Sequence, residues 1–496
     1  MGEQPQELGR IIGPDRFSDD ASDLAAYAAD KSFAVANKPS LVVRPDTHDE
    51  VQHIVAWAND TVTALVPVSS GPPHFHGDTV PSVAGAVVVD LTNMKKILRI
   101  DRRNRMCVVE PGVTYAALQP ALAEHGMRVT PPLLPRANKS VLASLLERQP
   151  TLIPRYNFHL PEPLRDCGVV WGNGEAMYTG EAGSGPLSLE DQWNAGLRQI
   201  DPKGPAQTDF FRLLTGAQGS MGIVTWASLK CELVPTVHKL TFVAAAELAD
   251  LLPLVYRLNR VRLGDEVLVL DRAYLARLLG ALGCGILAGE LPPWTLIVGL
   301  GGREHLAAER VEVAENDARS IAEQVGLSLR LELCGASVSS VQAALSSCCK
   351  TPWKLAAKGG SADVFFLTTL DKAPGFIETA RELAVSLGLT AADVGVYIQP
   401  QHQGVSHHVE LSLPYDPSDA VEGARAQKFH DVAGERLIAS GAYFSRPYGS
   451  WSHPVYRRDA ASREALCKAK RIFDPLGIMN PGKLCFGALA VREEIH

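Results

Sequence analysis

From Pro235 onward the sequence sets down one strand, helix, strand order twice: Lys239–Ala246, Leu248–Leu258 and Glu266–Leu270, then Asp363–Thr368, Phe376–Leu387 and Asp393–Gln399. Two further strand-helix pieces, Leu296–Leu300 with Leu306–Val325 and His407–Leu413 with Ala424–Ser440, complete four such units. A strand with one apolar face must bury it, and a helix of 3.6-residue period following each strand supplies the cover. The repeat therefore predicts two split β-α-β units side by side, forming one antiparallel sheet backed by helices.

The first half is different. Residues 1–35 read as a helical lead-in, and Ser40–Pro45 as a short strand ended by proline. Thr47 offers an N-cap with Glu50 three residues later, opening a helix through Ala58. Strands are expected at Leu65–Val68, Ala86–Leu91 and Met106–Glu110, with a helix at Tyr115–His125. Cys167–Trp171, the turn Gly172-Asn173-Gly174 and Glu175–Thr179 read as a hairpin. The fold class is α+β, divided into 1–35, 36–237, 238–454 and a closing segment 455–496.

At 496 residues the chain can bury two or three cores. No apolar run approaches the ~18 residues of a membrane helix, and the N-terminus lacks a basic and then apolar leader, so a cytoplasmic location is expected. A net charge of −7 with both signs dispersed and no Lys/Arg cluster argues against nucleic acid. Nine cysteines without C-x-x-C spacing argue against a zinc ribbon, an iron-sulfur cluster or a disulfide framework. The vicinal pair Cys348-Cys349 reads as small residues at a helix end, with a redox role as the alternative.

Three segments, in order, carry a resemblance. Ser140–Gly180 is similar to the pattern S-V-x-G-N-x-L-x-R-G, P-Y-G-D-H, strand, G-x-G-x-x-x-x-T-G. Gly216–Thr225 matches a glycine-rich turn followed by G-I-V-T, and Phe473–Lys483 matches F-D-P-x-x-x-x-N-P-G-K. Together they resemble the vanillyl-alcohol oxidase and p-cresol methylhydroxylase flavoprotein superfamily. The resemblance implies a two-part FAD-binding domain over 36–237, completed by 455–496, and a substrate-covering cap over 238–454.

It also implies where FAD would lie. Pro67–Asp78 sits where the family has its pyrophosphate loop, with Pro72 and Pro73 removing two backbone donors, so Ser69, Ser70, Gly71 and His74, Phe75, His76 and Gly77 are left to bind. Pro131, Ser140, Ser144, Gly219, Gly222, Ile223, Val224, Asn480 and Lys483 complete the expected cofactor set. Small residues at 219 and 222 would let the backbone approach the flavin. His74 and His76 carry three readings: a covalent flavin anchor, a hydrogen-bonding group, or a plain loop histidine. A His74-x-His76 metal site with Asp78 lacks an assured third ligand, so no metal is expected and the flavin is expected to be held noncovalently.

The catalytic half departs from the family. Pro135–Lys139 offers no carboxylate where phenol-oxidising relatives have one near flavin N5, and Tyr-Gly-Asp-His becomes Tyr156-Asn157-Phe158-His159. Arg446 and Tyr448 could bind an oxyanion, or belong to a surface turn. Alternation puts His408 and Glu410 on one strand face and His407 on the other; either histidine could be a base, or both ordinary strand residues. The metal-binding H-x-G-D-G-N-x-H of the D-lactate and glycolate branch is absent. The leading expectation is an FAD-dependent oxidoreductase acting on a small aromatic alcohol or para-alkylphenol. The alternatives are a 2-hydroxy-acid dehydrogenase and a flavin-containing relay or scaffold subunit without turnover. Expected partners are the small-molecule substrate, an electron-acceptor protein, and other subunits in a homo- or hetero-oligomer.

Overall fold

The structure, a computed structural model, describes residues 3–153, 163–179, 188–196, 210–284, 288–333, 336–401 and 404–487. Its first sheet runs in the order Phe17–Ser18, Leu41–Val43, Val87–Asp90, Leu65–Val68, with the last three strands parallel. Such strands are covered on both faces and read as continuous apolar runs, as Val87-Val88-Val89 does. The lead-in thus departs from an all-helical reading: between helices Glu3–Ile12 and Ala21–Ala28, Phe17–Ser18 pairs antiparallel with Val42 and Val43.

Helix His48–Thr61 covers this sheet, and the Thr47 hydroxyl accepts from Glu50 N at 3.2 Å as the capping pattern requires. Glu50 does not return the bond to Thr47. Its carboxylate accepts from Asp46 N (2.7 Å) and from Arg16 (2.6 Å), because a guanidinium within reach offers a stronger, charge-assisted partner.

A second sheet, Ile97–Asp101, Met106–Val109, Gly222–Lys230, Leu164–Trp171, Ala176–Tyr178, is antiparallel throughout. Its central strand begins at the expected G-I-V-T, and Val170 and Ile223 pack into the core of the first sheet.

The third sheet has six antiparallel strands in the order Val237–Ala245, Trp294–Gly302, Glu266–Asp271, Gly395–Gln401, Ser406–Tyr415, Gly360–Thr368. The two repeats meet where Val269 and Leu270 pair with Ile398 and Tyr397. Helices Leu248–Arg260, Ala307–Glu323, Ala373–Ser386 and Ala420–Ala439 cover one face, burying Val364, Phe366, Val396, Ile398, Val409 and Leu411. On the other face the first repeat buries Leu240, Phe242, Leu268 and Leu270 beneath two helices that the periodicity did not predict, Arg272–Gly280 and Val338–Ser346. Cys348 and Cys349 follow the second of these, and Cys349 pairs through its backbone with Pro135 and Ala137.

After helix Ala460–Phe473 the chain returns to the first sheet. The Asp474 carboxylate accepts from Ile478 N (3.0 Å) and Met479 N (2.9 Å). Lys470 donates to Asp474 and to the carbonyls of Ser220 and Met479. Asn480 N then bonds Leu65 O at 2.8 Å. Because this ion pair is buried, removing one partner strands the other. Asp474→Ala is expected to cost about 3–5 kcal/mol, read by urea denaturation, and to open the 475–487 segment to limited proteolysis; native stability in the variant would overturn the assignment.

Candidate active site

Between the second and third sheets lies a cavity of about 270 Å³. One end is made by Pro67–Ser70, His74–His76, Asp78, Lys139, Glu147 and Gly216–Val224; the other by Tyr274, Trp353, Lys354, Asp363, Phe365, Tyr397, Glu410, Arg446 and Tyr448.

At the first end, the backbone N–H groups of His74, Phe75 and His76 meet no protein acceptor among the described residues. Three consecutive free donors on a cavity wall are the donor set an anion needs. Arg136, itself part of the cavity lining, braces the loop, donating to Gly71 O (2.8 Å) with its guanidinium 5.3 Å from the Phe75 ring centroid. His74 is buried with Nε2 unpartnered, and burial, reinforced by Arg136 and Lys139, pushes its pKa down to about 4. His76 stacks on Tyr448 at 4.5 Å and meets Phe365 edge-on at 5.6 Å; burial and Arg446 hold it well below its ordinary value. Both imidazoles are therefore neutral at pH 7. Among the described residues no group of three His, Cys, Asp or Glu side chains is gathered as metal ligands.

The expected cofactor residues divide into two groups. Ser69, Ser70, His74, Phe75, His76, Gly219, Gly222, Ile223 and Val224 line the cavity. The others do not, because protein partners claim them. Gly71 N bonds Asn138 O, Gly77 N bonds the Asp30 carboxylate (2.6 Å), and Pro131 O accepts from Leu152 N. Ser140 caps helix Val141–Leu146 and donates to Pro111 O, while Ser144 donates to Gln149. Asn480 donates to Asp78 O (2.8 Å) and Gln218 O (2.7 Å), and Lys483 to Gly77 O (2.7 Å) and Val80 O (2.8 Å). Both clamp the loop rather than face the cavity. The glycines are also fixed by protein packing: a Cβ at Gly219, φ +69°, would sit 2.5 Å from Pro67 Cγ, and one at Gly222 2.6 Å from Val170 O.

At the second end, Arg446 lies with its guanidinium 4.0 Å from the Phe365 ring centroid and has no ion pair or hydrogen bond among the described residues. Burial lowers its pKa. Tyr448 is buried beside it. His407 points to the opposite face of its strand, where Nε2 is 3.5 Å from Asn259 Nδ2 and the ring meets Tyr256 edge-on, so the structure does not bring it to the cavity. His408 shares the cavity-side face but stops behind Glu410, with Nε2 3.9 Å from Glu410 Oε2. The segment Arg155–His159 and Gly180 lie outside the described residues.

The sequence reading missed the ionised cluster of this end. Glu410 Oε1 accepts from Tyr274 OH (2.7 Å) and Lys354 Nζ (2.5 Å), and Lys354 also donates to Asp363 (2.8 Å). Burial pushes the Glu410 carboxyl up, but Lys354 outweighs it and holds the group well below the carboxylate range. The available signal was His408-x-Glu410-x-Ser412 alternating with Val409-x-Leu411-x-Leu413: a polar row inside a two-sided strand marks a face turned to a site. Lys139 and Glu147, paired at 2.5 Å, were missed likewise.

An FAD binding domain profile matches residues 39–145. The chain is 25% identical to D-2-hydroxyglutarate dehydrogenase of Stutzerimonas stutzeri over 96% of this chain and 98% of that one. It is 26% identical to the 4-cresol dehydrogenase flavoprotein subunit of Pseudomonas putida, over 53% and 48%. The substrate-bound crystal structure of p-cresol methylhydroxylase superposes with a TM-score of 0.82 at 20% identity, covering 97% and 96%. The chain carries an FAD binding domain and shares the fold of p-cresol methylhydroxylase. It is an FAD-dependent oxidoreductase. The free donors of His74–His76 and the open cavity beside Gly219–Val224 fit the pyrophosphate and ring of that cofactor, and no helix among the described residues is long and apolar enough to cross a membrane.

Asp78 lines the cavity with no hydrogen bond to its carboxylate among the described residues; burial, then Glu147, pushes its pKa up to about 7 from 3.8. The folded protein therefore holds a proton that the unfolded chain releases between those values, and this group's contribution to stability falls as pH rises from about 4 to about 7. His74, pushed down, contributes the opposite slope, so the difference between native and Asp78→Asn protein is the reading. Relative to the variant, flavin-free native protein should lose on the order of 1–4 kcal/mol across that window in urea titrations. A pH-independent difference would sink the assignment.

Proposed function

We propose that the protein takes a hydride from a small aromatic alcohol or para-alkylphenol, the anionic end of which pairs with Arg446. The observation that carries this reading is a buried guanidinium on a cavity wall with no counter-ion among the described residues. A desolvated cation is costly unless an anion joins it, and a planar fork suits an oxyanion or carboxylate. Phe365, Trp353, Tyr397 and Tyr448 give the surrounding wall an aromatic lining. Bound FAD would supply the two-electron acceptor. Tyr448 and His76, stacked on each other, would wall the substrate in, and neutral His76 would leave the negative charge of the substrate to Arg446. The six-stranded sheet would act as the cap, residues 238–454, over an FAD domain of 36–237 and 455–496.

A second reading, a 2-hydroxy-acid dehydrogenase, is favoured by the near full-length similarity to a D-2-hydroxyglutarate dehydrogenase. In it, Arg446 would hold the carboxylate. Relatives that are subunits of larger enzymes support an electron-acceptor protein as partner.

Under anaerobic conditions, para-alkylphenols or aryl alcohols should bleach the flavin faster than short 2-hydroxy acids; the reverse order establishes the second reading. Arg446→Ala should weaken reduction by about 2–5 kcal/mol, the cost of truncating one partner of a buried charge pair, with bound FAD unchanged. Reduction at the native rate in that variant would refute the oxyanion role.

FAD should be released into the supernatant on acid precipitation, since His74 and His76 are engaged in loop packing and ring stacking. Colour retained in the pellet, and freed by His74→Ala or His76→Ala, would identify a covalent anchor instead.

A further inference from the structure

Glu410 is placed on the cavity floor by pairing on both sides: it stands opposite Phe365 on one neighbouring strand and opposite Tyr397 on the other. Residues directly opposite one another share a face, with Cβ atoms about 4.5–5.5 Å apart. Phe365, Glu410 and Tyr397 therefore form one row across three strands, with Arg446 resting on Phe365.

Within that row the two oxygens of Glu410 are unequal. Oε1 already takes two donors, Tyr274 OH at 2.7 Å and Lys354 Nζ at 2.5 Å. Oε2 takes none among the described residues; His408 Nε2, at 3.9 Å, is beyond hydrogen-bond reach. An ionised carboxylate on a cavity wall with one oxygen saturated and the other open is an acceptor waiting for a donor. Lys354, bonded to Asp363 and Glu410, fixes its orientation.

Resting on the function proposed above, we propose that Glu410 is a specificity-determining residue. Its Oε2 accepts a hydrogen bond from a hydroxyl of the substrate while Arg446 holds the anionic end. The substrate class is then narrowed to compact molecules that carry both an anion and a hydroxyl. Within the proposed aromatic class, molecules with a second hydroxyl are then favoured over alkylphenols, which leave Oε2 unpaired. The oxidised carbonyl product would present lone pairs to a carboxylate and be repelled, which favours its release.

The test uses oxidised, FAD-loaded protein and inert probes. Tertiary alcohols carry no hydrogen on the hydroxyl carbon and cannot be oxidised. Each is paired with a carbonyl analogue that can accept but not donate: 2-(4-hydroxyphenyl)propan-2-ol with 4-hydroxyacetophenone, and 2-hydroxyisobutyrate with pyruvate. Dissociation constants are read from perturbation of the flavin spectrum. In the unaltered protein the alcohol of at least one pair should bind at least about tenfold tighter than its carbonyl partner, because a site built to accept from a hydroxyl leaves a buried oxygen unpaired otherwise. In Glu410→Gln, Tyr274 and Lys354 require the amide oxygen at the Oε1 position, which turns the NH2 towards the cavity. The preference should then shrink or invert in favour of the carbonyl, with flavin content unchanged. Equal binding of both members in the unaltered protein overturns the inference without any variant, and a preference that survives Glu410→Gln does the same. Failure of all four probes to bind overturns the proposed function, and this inference with it.

Discussion

The buried Asp474 carboxylate is where the separate parts of the chain are fastened together. It accepts from the backbone of Ile478 and Met479 and pairs with Lys470, which reaches on to Ser220 O. The Gly172 turn packs directly against it: a Cβ on Gly172 would lie 2.5 Å from Asp474 Cβ, and Asn173 N bonds Phe473 O. A few residues on, Asn480 ties Gln218 O to Asp78 O, and Lys483 holds the Gly77 and Val80 carbonyls. Parts of all three segments carrying the sequence resemblance, Gly172–Asn173, Gln218–Ser220 and Phe473–Lys483, thus meet in one cluster although the last lies far along the chain from the other two. Gly219 packs on Pro67, and Asn480 and Lys483 hold the carbonyls of Gln218, Gly77, Asp78 and Val80, so the cluster shapes the loop that begins at Pro67.

That convergence explains which parts of the fold were legible. Strands Glu266–Asp271 and Gly395–Gln401 and helices Leu248–Arg260 and Ala373–Ser386 follow the expected boundaries closely, because one face of each is buried in a single apolar core and the period is undiluted. The helices Arg272–Gly280 and Val338–Ser346 were not legible. They cover the sheet's second face over the first repeat and reach Tyr397 of the second, and their apolar residues serve a contact that exists only after the two repeats have joined. Phe17–Ser18 escaped for a simpler reason: two residues carry no period.

For the site, the sequence exposed residues by motif and hid them by topology. Arg446 stood out as a cation in a segment to which the resemblance gives a role, and the structure sets it on the cavity wall with no ion pair among the described residues. Asn480 and Lys483 stood out equally, yet they act on the loop, since a motif records a requirement without saying whether the ligand or the protein imposes it. Lys354, Asp363 and Tyr274 belong to no motif. They meet Glu410 only because a helix over the first repeat, a short turn and two strands of the second repeat converge on one row.

The charges of the cavity are divided in a way that bears on chemistry. Lys354 is satisfied by two carboxylates and Lys139 by Glu147, so neither is free to neutralise an incoming anion. Among the cavity-lining cations of the second end, Arg446 alone lacks such a partner among the described residues. In a site of low effective dielectric an anion is drawn to the unpaired cation and kept from the carboxylates. On the proposed reading, electrostatics would set position along the Phe365–Glu410–Tyr397 row before any close fit is made, and Glu410 Oε2 would set orientation.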